Sequence, residues 1–246
     1  MKLYKKILAL GLTASMLGLT ACSSGAAETT AAAESTEASA ETSAEAASDD
    51  TVYKIGICQL VQHPALDLAT QGFKDAVTEA LGEDHVEFDE QNANGDAATA
   101  TTICTNLVAE DVDLIMANAT AALQAAAAAT GDIPILGTSI TDYGVALDLS
   151  DFNGVIGGNI SGTSDCAPLE EQANMMLDVF PDANTFGILY CSAEPNSKFQ
   201  ADAVQKTLEA AGKTVNIYTF SDSNDLASVT TEACSNVDAL YIPTDN

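Results

Sequence analysis

The chain has 246 residues, with 36 acidic side chains against 8 basic ones and a formal charge of -28. Every basic residue is a lysine and arginine is absent; displacing counterions from a nucleic acid takes clustered Lys and Arg, so nucleic acid binding is excluded. Hydrophobic residues make up 47% of the chain, enough for a substantial core in one or two lobes.

The N-terminus carries Lys2, Lys5 and Lys6, then an apolar stretch from Ile7 to Leu19. A positive segment, a short apolar segment and small residues before a cut make an export signal, too short to span a bilayer comfortably. The run Leu19-Thr20-Ala21-Cys22 resembles the lipobox of bacterial lipoproteins, which are cleaved before the cysteine and acylated on its sulfur. The expectation is a signal peptide over 1–21, lipid on Cys22, and a place on the extracytoplasmic face of the cell membrane. Residues 23–51 are almost all Ala, Ser, Thr, Glu and Asp, with no aromatic and no basic side chain. Such a segment cannot bury enough apolar surface to offset chain entropy, so 22–51 reads as a lipidated cysteine and a disordered acidic linker reaching ~30 Å. Beyond residue 19 no apolar run is long enough to cross a bilayer again.

From Val52 onward one pattern repeats. Tyr53 to Cys58 is a short apolar run and predicts a buried strand. His63-Pro64 opens a helix with proline in its first turn, and Leu66, Ala69, Phe73, Ala76, Val77 and Ala80 recur at helical spacing. Val86 to Phe88 is a weaker strand. A helix from about Asp96 carries Ala100, Ile103, Leu107 and Val108 on one side. Leu114 to Met116 predicts a strand, Ala121 to Ala129 a helix and Ile133 to Leu136 a strand. Around Asp151 the rhythm breaks, and Phe152 to Gly162 carries four glycines in an extended segment. A helix bearing Leu169, Ala173, Met176, Leu177 and Phe180 follows. Then come strand Phe186 to Cys191, helix Lys198 to Ala211, strand Val215 to Phe220, helix Leu226 to Cys234 and strand Ala239 to Ile242.

Alternating strands and helices with near-continuous apolar strands mean parallel sheets covered on both faces. The expected fold is α/β: two doubly wound parallel-sheet lobes, 52–157 and 158–246, joined by the Gly-rich segment as a hinge in the manner of a Venus flytrap. The chain stops just after a strand, so the second lobe reads as truncated. Five cysteines follow Cys22 with no CxxC pair, which argues against a zinc ribbon or a thioredoxin-like site. Four of the five sit in apolar runs or on helix faces and read as small buried hydrophobes.

In parallel sheets of this kind ligands bind beyond the carboxyl ends of the strands. Those positions are Gln59 to His63, Asn118 to Thr120 and Thr138 to Asp142 in the first block, and Ser192 to Asn196, Ser221-Asp222 and Thr244 to Asn246 in the second, with Ser161 to Asp165 beside the crossover. They are rich in hydroxyls, amides and carboxylates, suited to orienting a small polar ligand.

Four stretches carry a family resemblance: Ile57 to Asp67 (ICQLVQHPALD), Phe88 to Asp96 (FDEQNANGD), Gly162 to Asp165 (GTSD) and Tyr241 to Asn246 (YIPTDN). In this order the chain resembles, from Tyr53 to its last residue, one group of ABC-transporter substrate-binding lipoproteins. The resemblance implies a type I periplasmic-binding fold, tryptophan or tyrosine as ligand, and an ABC permease with its ATPase as partners. It places Gln59 and His63 in the first-lobe wall of the cleft, with Thr120 at a helix start and Thr141 and Asp142 in a cleft loop. From the second lobe it brings Asp165, Ser192, Glu194, Asn196 and Asp245 to the same cleft. Two positions depart from the group: Ala121 and Tyr143 stand where proline is common.

Without arginine no bidentate clamp for a carboxylate exists. An amino acid carboxylate would be held by backbone N–H groups at a helix start, at Ala119 to Ala121, helped by the Thr120 and Thr141 hydroxyls. Asp245, Asp142 or Glu194 would pair with the ammonium group, and His63 would line the side-chain pocket. A sugar receptor on the same fold is disfavoured by the lack of Trp and Arg. A sensory lipoprotein without transport has the same sequence features. No P-loop, HExxH or GxSxG run is present, and with two histidines no nucleophile–base pair stands out. The reading is a binding protein rather than an enzyme, with no metal and no cofactor.

Overall fold

The computed structural model describes residues 51–221 and 223–245. The Leu19 to Cys22 motif and the linker up to residue 50 lie outside these described residues.

The first sheet contains five parallel strands: β1 (Tyr53–Gln59), β2 (Val86–Asn92), β3 (Leu114–Asn118), β4 (Ile135–Ile140) and β5 (Ile160–Ser164). Their spatial order is β2-β1-β3-β4-β5. Four helices accompany them: α1 (Pro64–Leu81), α2 (Ala97–Ala109), α3 (Thr120–Ala129) and α4 (Tyr143–Ala146), with a short 3-10 turn at Glu83–His85. The second sheet has three parallel strands in the order β7-β6-β8: β6 (Thr185–Cys191), β7 (Thr214–Phe220) and β8 (Ala239–Tyr241). Its helices are α5 (Leu169–Val179), α6 (Pro195–Ala210) and α7 (Ser223–Asn236). The order β7-β6-β8 repeats β2-β1-β3, so each block turns its chain direction beside its opening strand. That is the switch point at which doubly wound sheets open a crevice.

Local chemistry explains the elements. His63 caps α1 by accepting from Ala65 N at 3.2 Å, and Pro64 fills the first helical position without wasting an N–H. Asp96 caps α2 through Thr99 N at 2.6 Å. The α2 stripe of Ala100, Ile103, Cys104 and Leu107 is buried against the sheet. Gly56 lies under that helix because a Cβ there would stand 2.8 Å from Leu107 Cδ1. Gly187, its counterpart in β6, is crowded in the same way by Leu240 at 2.8 Å. The cores are separate: Ile115, Leu123 and Ile135 belong to one cluster of the first block and Ile55, Ile57 and Met116 to a second, while Phe186, Ile188, Val204 and Leu208 form that of the second block.

Several expectations are corrected here. β4 begins at Ile135 rather than Ile133, because Pro134 has no N–H and contributes only its carbonyl, to Ile115 N at 2.9 Å. It then runs on to Ile140. α6 starts at Pro195, three positions ahead of the expected Lys198, with proline again in the first turn. Most consequentially, the end of the Gly-rich run is β5, paired with β4 in the first sheet. The boundary expected at 157/158 therefore cuts ahead of a strand of the first sheet, and the chain passes between sheets at Asp165 to Pro168 instead. The thiols also differ from expectation. Cys58 and Cys104 are buried and Cys191 is half-buried, whereas Cys166 and Cys234 are exposed. On α7 it is Ala233 that faces inward, which turns its neighbour Cys234 to the outside. A hydrogen bond to Cys104, together with burial, pushes the Cys58 thiol up, so it stays protonated.

Candidate functional site

The carboxyl ends of β3 and β4 meet at the start of α3. Ala119 holds φ 86 and ψ 160, a conformation rare for a residue with a Cβ, and donates its N–H to Thr138 O at 3.0 Å. Its amide is thereby used, so the donors expected over Ala119 to Ala121 begin one residue later. α3 has no side-chain cap. The N–H groups of Thr120, Ala121 and Ala122 thus have no intrahelical acceptor and carry the positive end of the helix dipole. Ala121 supplies an N–H that a proline in its place would lack.

Gln59 and His63 are engaged within the first block. Gln59 is 4% exposed; its Nε2 donates to Val61 O at 2.9 Å and Asp67 Oδ1 at 2.6 Å, while its Oε1 accepts from Thr70 Oγ1 at 2.7 Å. Asn118 Nδ2 completes the network by donating to Leu66 O at 2.9 Å and Thr70 Oγ1 at 3.0 Å. This cluster pins α1 to β1 and β3. It also forms one wall of a polar cavity of about 420 Å³ that includes Asp67, Glu90 and Asn92. Asn118 Oδ1 is buried without a hydrogen-bond partner. His63 is exposed, and its Nδ1 serves as the helix cap already described.

Past β4 the chain forms a tied corner. The β4–β5 register shifts between Gly137 and Ile140. Tyr143, 4% exposed, donates its hydroxyl to Gly137 O at 2.9 Å and Thr163 O at 3.2 Å. Ser164 Oγ donates to Thr141 O at 2.8 Å, and Asp165 N donates to Ile140 O at 3.0 Å. Asp142 caps α4 by accepting from Val145 N at 2.8 Å. A cavity of about 450 Å³ opens here, bordered by Thr141, Asp142, Tyr143, Phe152, Ser164 and Cys166. Burial, with the Asp165 charge behind it, pushes Tyr143 up to about 12. Desolvation raises the Asp165 carboxyl from its ordinary value, partly offset by neighbouring hydrogen-bond donors.

On the second sheet the expected residues gather at the ends of β6 and β8. Asp245 Oδ2 accepts from Cys191 N at 2.7 Å. Ser192 donates through both N and Oγ to Phe220 O, at 2.9 Å and 3.1 Å. Glu194 stands at the cap position of α6 without a side-chain cap bond to it. Asn196 is 5% exposed; its Nδ2 reaches Thr244 O at 3.4 Å, and its Oδ1 is buried without a hydrogen-bond partner. Sequence reasoning missed Gln200, which is 1% exposed and holds both backbone groups of Thr244: Nε2 to its O at 2.9 Å, Oε1 from its N at 3.1 Å. Its position one turn after Asn196 on a helix was the available signal. α4 lies next to α6.

Residues 54–246 match the family described as ABC transporter substrate binding protein. The chain belongs to that family. A curated tyrosine-binding protein from Clostridioides difficile is 36% identical over 194 residues, which are 78% of this chain and 56% of that protein. The ABC domain in complex with L-Trp from Streptococcus pneumoniae is 38% identical with a TM-score of 0.75, covering 80% of this chain and 66% of that one. A ligand-free, open substrate-binding protein with adhesive properties from Clostridium difficile is also 38% identical, with a TM-score of 0.57 over 79% of this chain and 66% of that one. The chain thus spans just over half the length of this curated relative and just under two thirds of these solved structures.

Proposed function

We propose that this protein is the extracytoplasmic receptor of an ABC importer and binds an amino acid with an aromatic side chain between its two parallel sheets. The observation that carries the reading is the open first turn of α3, three N–H groups at the carboxyl edge of the first sheet in a chain without arginine. A carboxylate is the ligand group such a turn accepts. Family membership supports a receptor role, and the tyrosine-binding and L-Trp-bound relatives support the ligand class. The polar residues at the ends of β6 and β8 supply the opposing wall. Closure of the two sheets on the ligand, hinged at Asp165 to Pro168, is a two-state movement biased by contacts with both. The Leu19 to Cys22 motif adds a lipid anchor on Cys22, so that the receptor stays beside its permease and ATPase at the membrane.

Ligand binding to the folded state raises stability by mass action, about 2.7 kcal/mol at a hundredfold excess over Kd. In a protein of this size L-tryptophan or L-tyrosine should raise Tm by about 5–10 °C. Thermal melts against a panel of amino acids and sugars check this. A response to sugars with none to amino acids rejects the proposal.

A further inference from the structure

We propose that Cys58 and Cys104 are an oxidisable pair that closes to a disulfide, tying β1 to α2 as the chain folds and stabilising the first block. This pairing is independent of the ligand's identity. Both residues are free thiols, 0% exposed, and belong to one core cluster. Gly56 and Cys58 stand on the same face of β1. Cys104 and Leu107 lie one turn apart on the buried stripe of α2. A Cβ on Gly56 would stand 2.8 Å from Leu107 Cδ1, so the glycine lets α2 come down close to the strand. α2 leads from the carboxyl end of β2 back to the start of β3, and so runs against the strand direction. One step along that face of β1 toward its carboxyl end therefore matches one turn back along α2, and Cys58 meets Cys104. The other cysteines among the described residues, Cys166, Cys191 and Cys234, lie outside this cluster.

The two thiols act on each other's acidity: hydrogen bonding between them, with burial, pushes Cys58 up, and the same contact holds Cys104 down. Cys104 is therefore the thiol that ionises and attacks. With a small disulfide RSSR as oxidant, the Cys104 thiolate bonds one sulfur and releases one RS⁻. Cys58 then gives up its proton and attacks the Cys104 sulfur, and the second RS⁻ leaves. Two cysteine thiols are oxidised, and one RSSR is reduced to two thiols that take up the two protons. Full burial keeps the oxidant out of the finished fold, so exchange belongs to the stage before α2 settles on β1. The Leu19 to Cys22 motif fits delivery to a compartment where such bonds form and persist. The bridge closes a long stretch of chain, and by restricting the unfolded state it favours the folded one.

Refolding the intact protein from urea in a mixture of reduced and oxidised glutathione, then alkylating free thiols and mapping peptides by mass, tests the pairing. Cys58 and Cys104 should be recovered as one linked pair. The oxidised protein should melt about 5–15 °C above the reduced one, and dithiothreitol should abolish the difference. Cys58→Ala and Cys104→Ala, which put a small apolar side chain in the same core, should each lose the rise in Tm. Peptide mapping of the unaltered protein decides the matter even where a variant does not fold. Recovery of either cysteine alkylated, carrying glutathione or bridged elsewhere overturns the pairing. A Cys58–Cys104 bridge that leaves Tm unchanged or lowers it overturns the stabilising role.

Discussion

Tyr143 shows how one side chain can organise a corner of the site. Its hydroxyl bonds Gly137 O and Thr163 O and so ties β4 to β5 where their register slips. The two glycines make room for it: a Cβ on Gly137 or on Gly162 would collide with the Tyr143 hydroxyl. Gly162 also sits at φ 156, at the margin of the range a side chain tolerates. Tyr143→Phe should cost about 1–2 kcal/mol, the loss of one O–H proton shared between two carbonyls, and chemical denaturation would measure it. The loss should come with weaker ligand binding, because Thr141 and Asp165 hang on the same corner. Gly162→Ala should cost at least about 3 kcal/mol by overpacking. A stable, ligand-responsive Gly162→Ala protein would show that the corner can relax. In the sequence Tyr143 was visible only as a residue standing where proline is common. Its partners, 6 and 20 positions away, carry no signal that would couple them to it.

At the scale of elements, the fixing of α1 to its sheet depends on Thr70. This buried hydroxyl donates to Gln59 Oε1 and accepts from Asn118 Nδ2, joining β1, α1 and β3. Thr70→Val keeps the shape and leaves two buried amide groups with a partner fewer. The expected loss is about 2–4 kcal/mol, read from urea unfolding of the variant beside Thr70→Ser, which keeps the hydroxyl and most of the stability. Periodicity had assigned the buried face of α1 to Leu66, Ala69, Phe73, Ala76, Val77 and Ala80. In the fold the fully buried positions are Leu66 and Thr70, while Ala76 and Ala80 are exposed. Apolar spacing finds a stripe, but an alanine scarcely changes in free energy between inside and outside, whereas a threonine with two good partners gains by going in. The strand order was not legible either. β5 read as a connection because Gly154, Gly157 and Gly158 precede it, yet its own residues pair along β4.

For the molecule as a whole, charge sets the response to solvent. With 36 acidic and 8 basic side chains the folded state repels itself at neutral pH. Raising salt from ~10 mM to ~0.5 M should screen that repulsion and raise Tm. Lowering pH from 7 toward about 5 should do the same, since fewer carboxylates are then charged. Asp165 acts in the same direction: its pKa is raised on folding, so its ionisation costs stability as pH climbs past 3.8, and the cost disappears on acidification. Asp96, held low by Thr99, and Asp238, held low by the backbone N–H groups of Thr185 and Asn184, act the other way. Their contribution is complete above the ordinary 3.8 and is lost as pH falls through their lower folded values. Melting curves across this range should therefore pass through a maximum on the acid side of neutrality; a Tm that falls steadily from pH 7 to 5 and ignores salt contradicts the argument. The same division of scales separates what could be read early from what could not. Net charge, the lack of arginine, the alternation that demands parallel sheets and the positions just past each strand are properties of local sequence; they point to the fold class, while the family rests on the resemblance of stretches such as Ile57 to Asp67 and Tyr241 to Asn246. Which of those strand-end side chains face a ligand depends on hydrogen bonds such as Asn118 to Leu66 and Cys191 to Asp245, which join positions 52 and 54 residues apart. Those partners exist only when packing brings the strands together, because no local preference pairs an amide or a carboxylate with a backbone group so far along the chain.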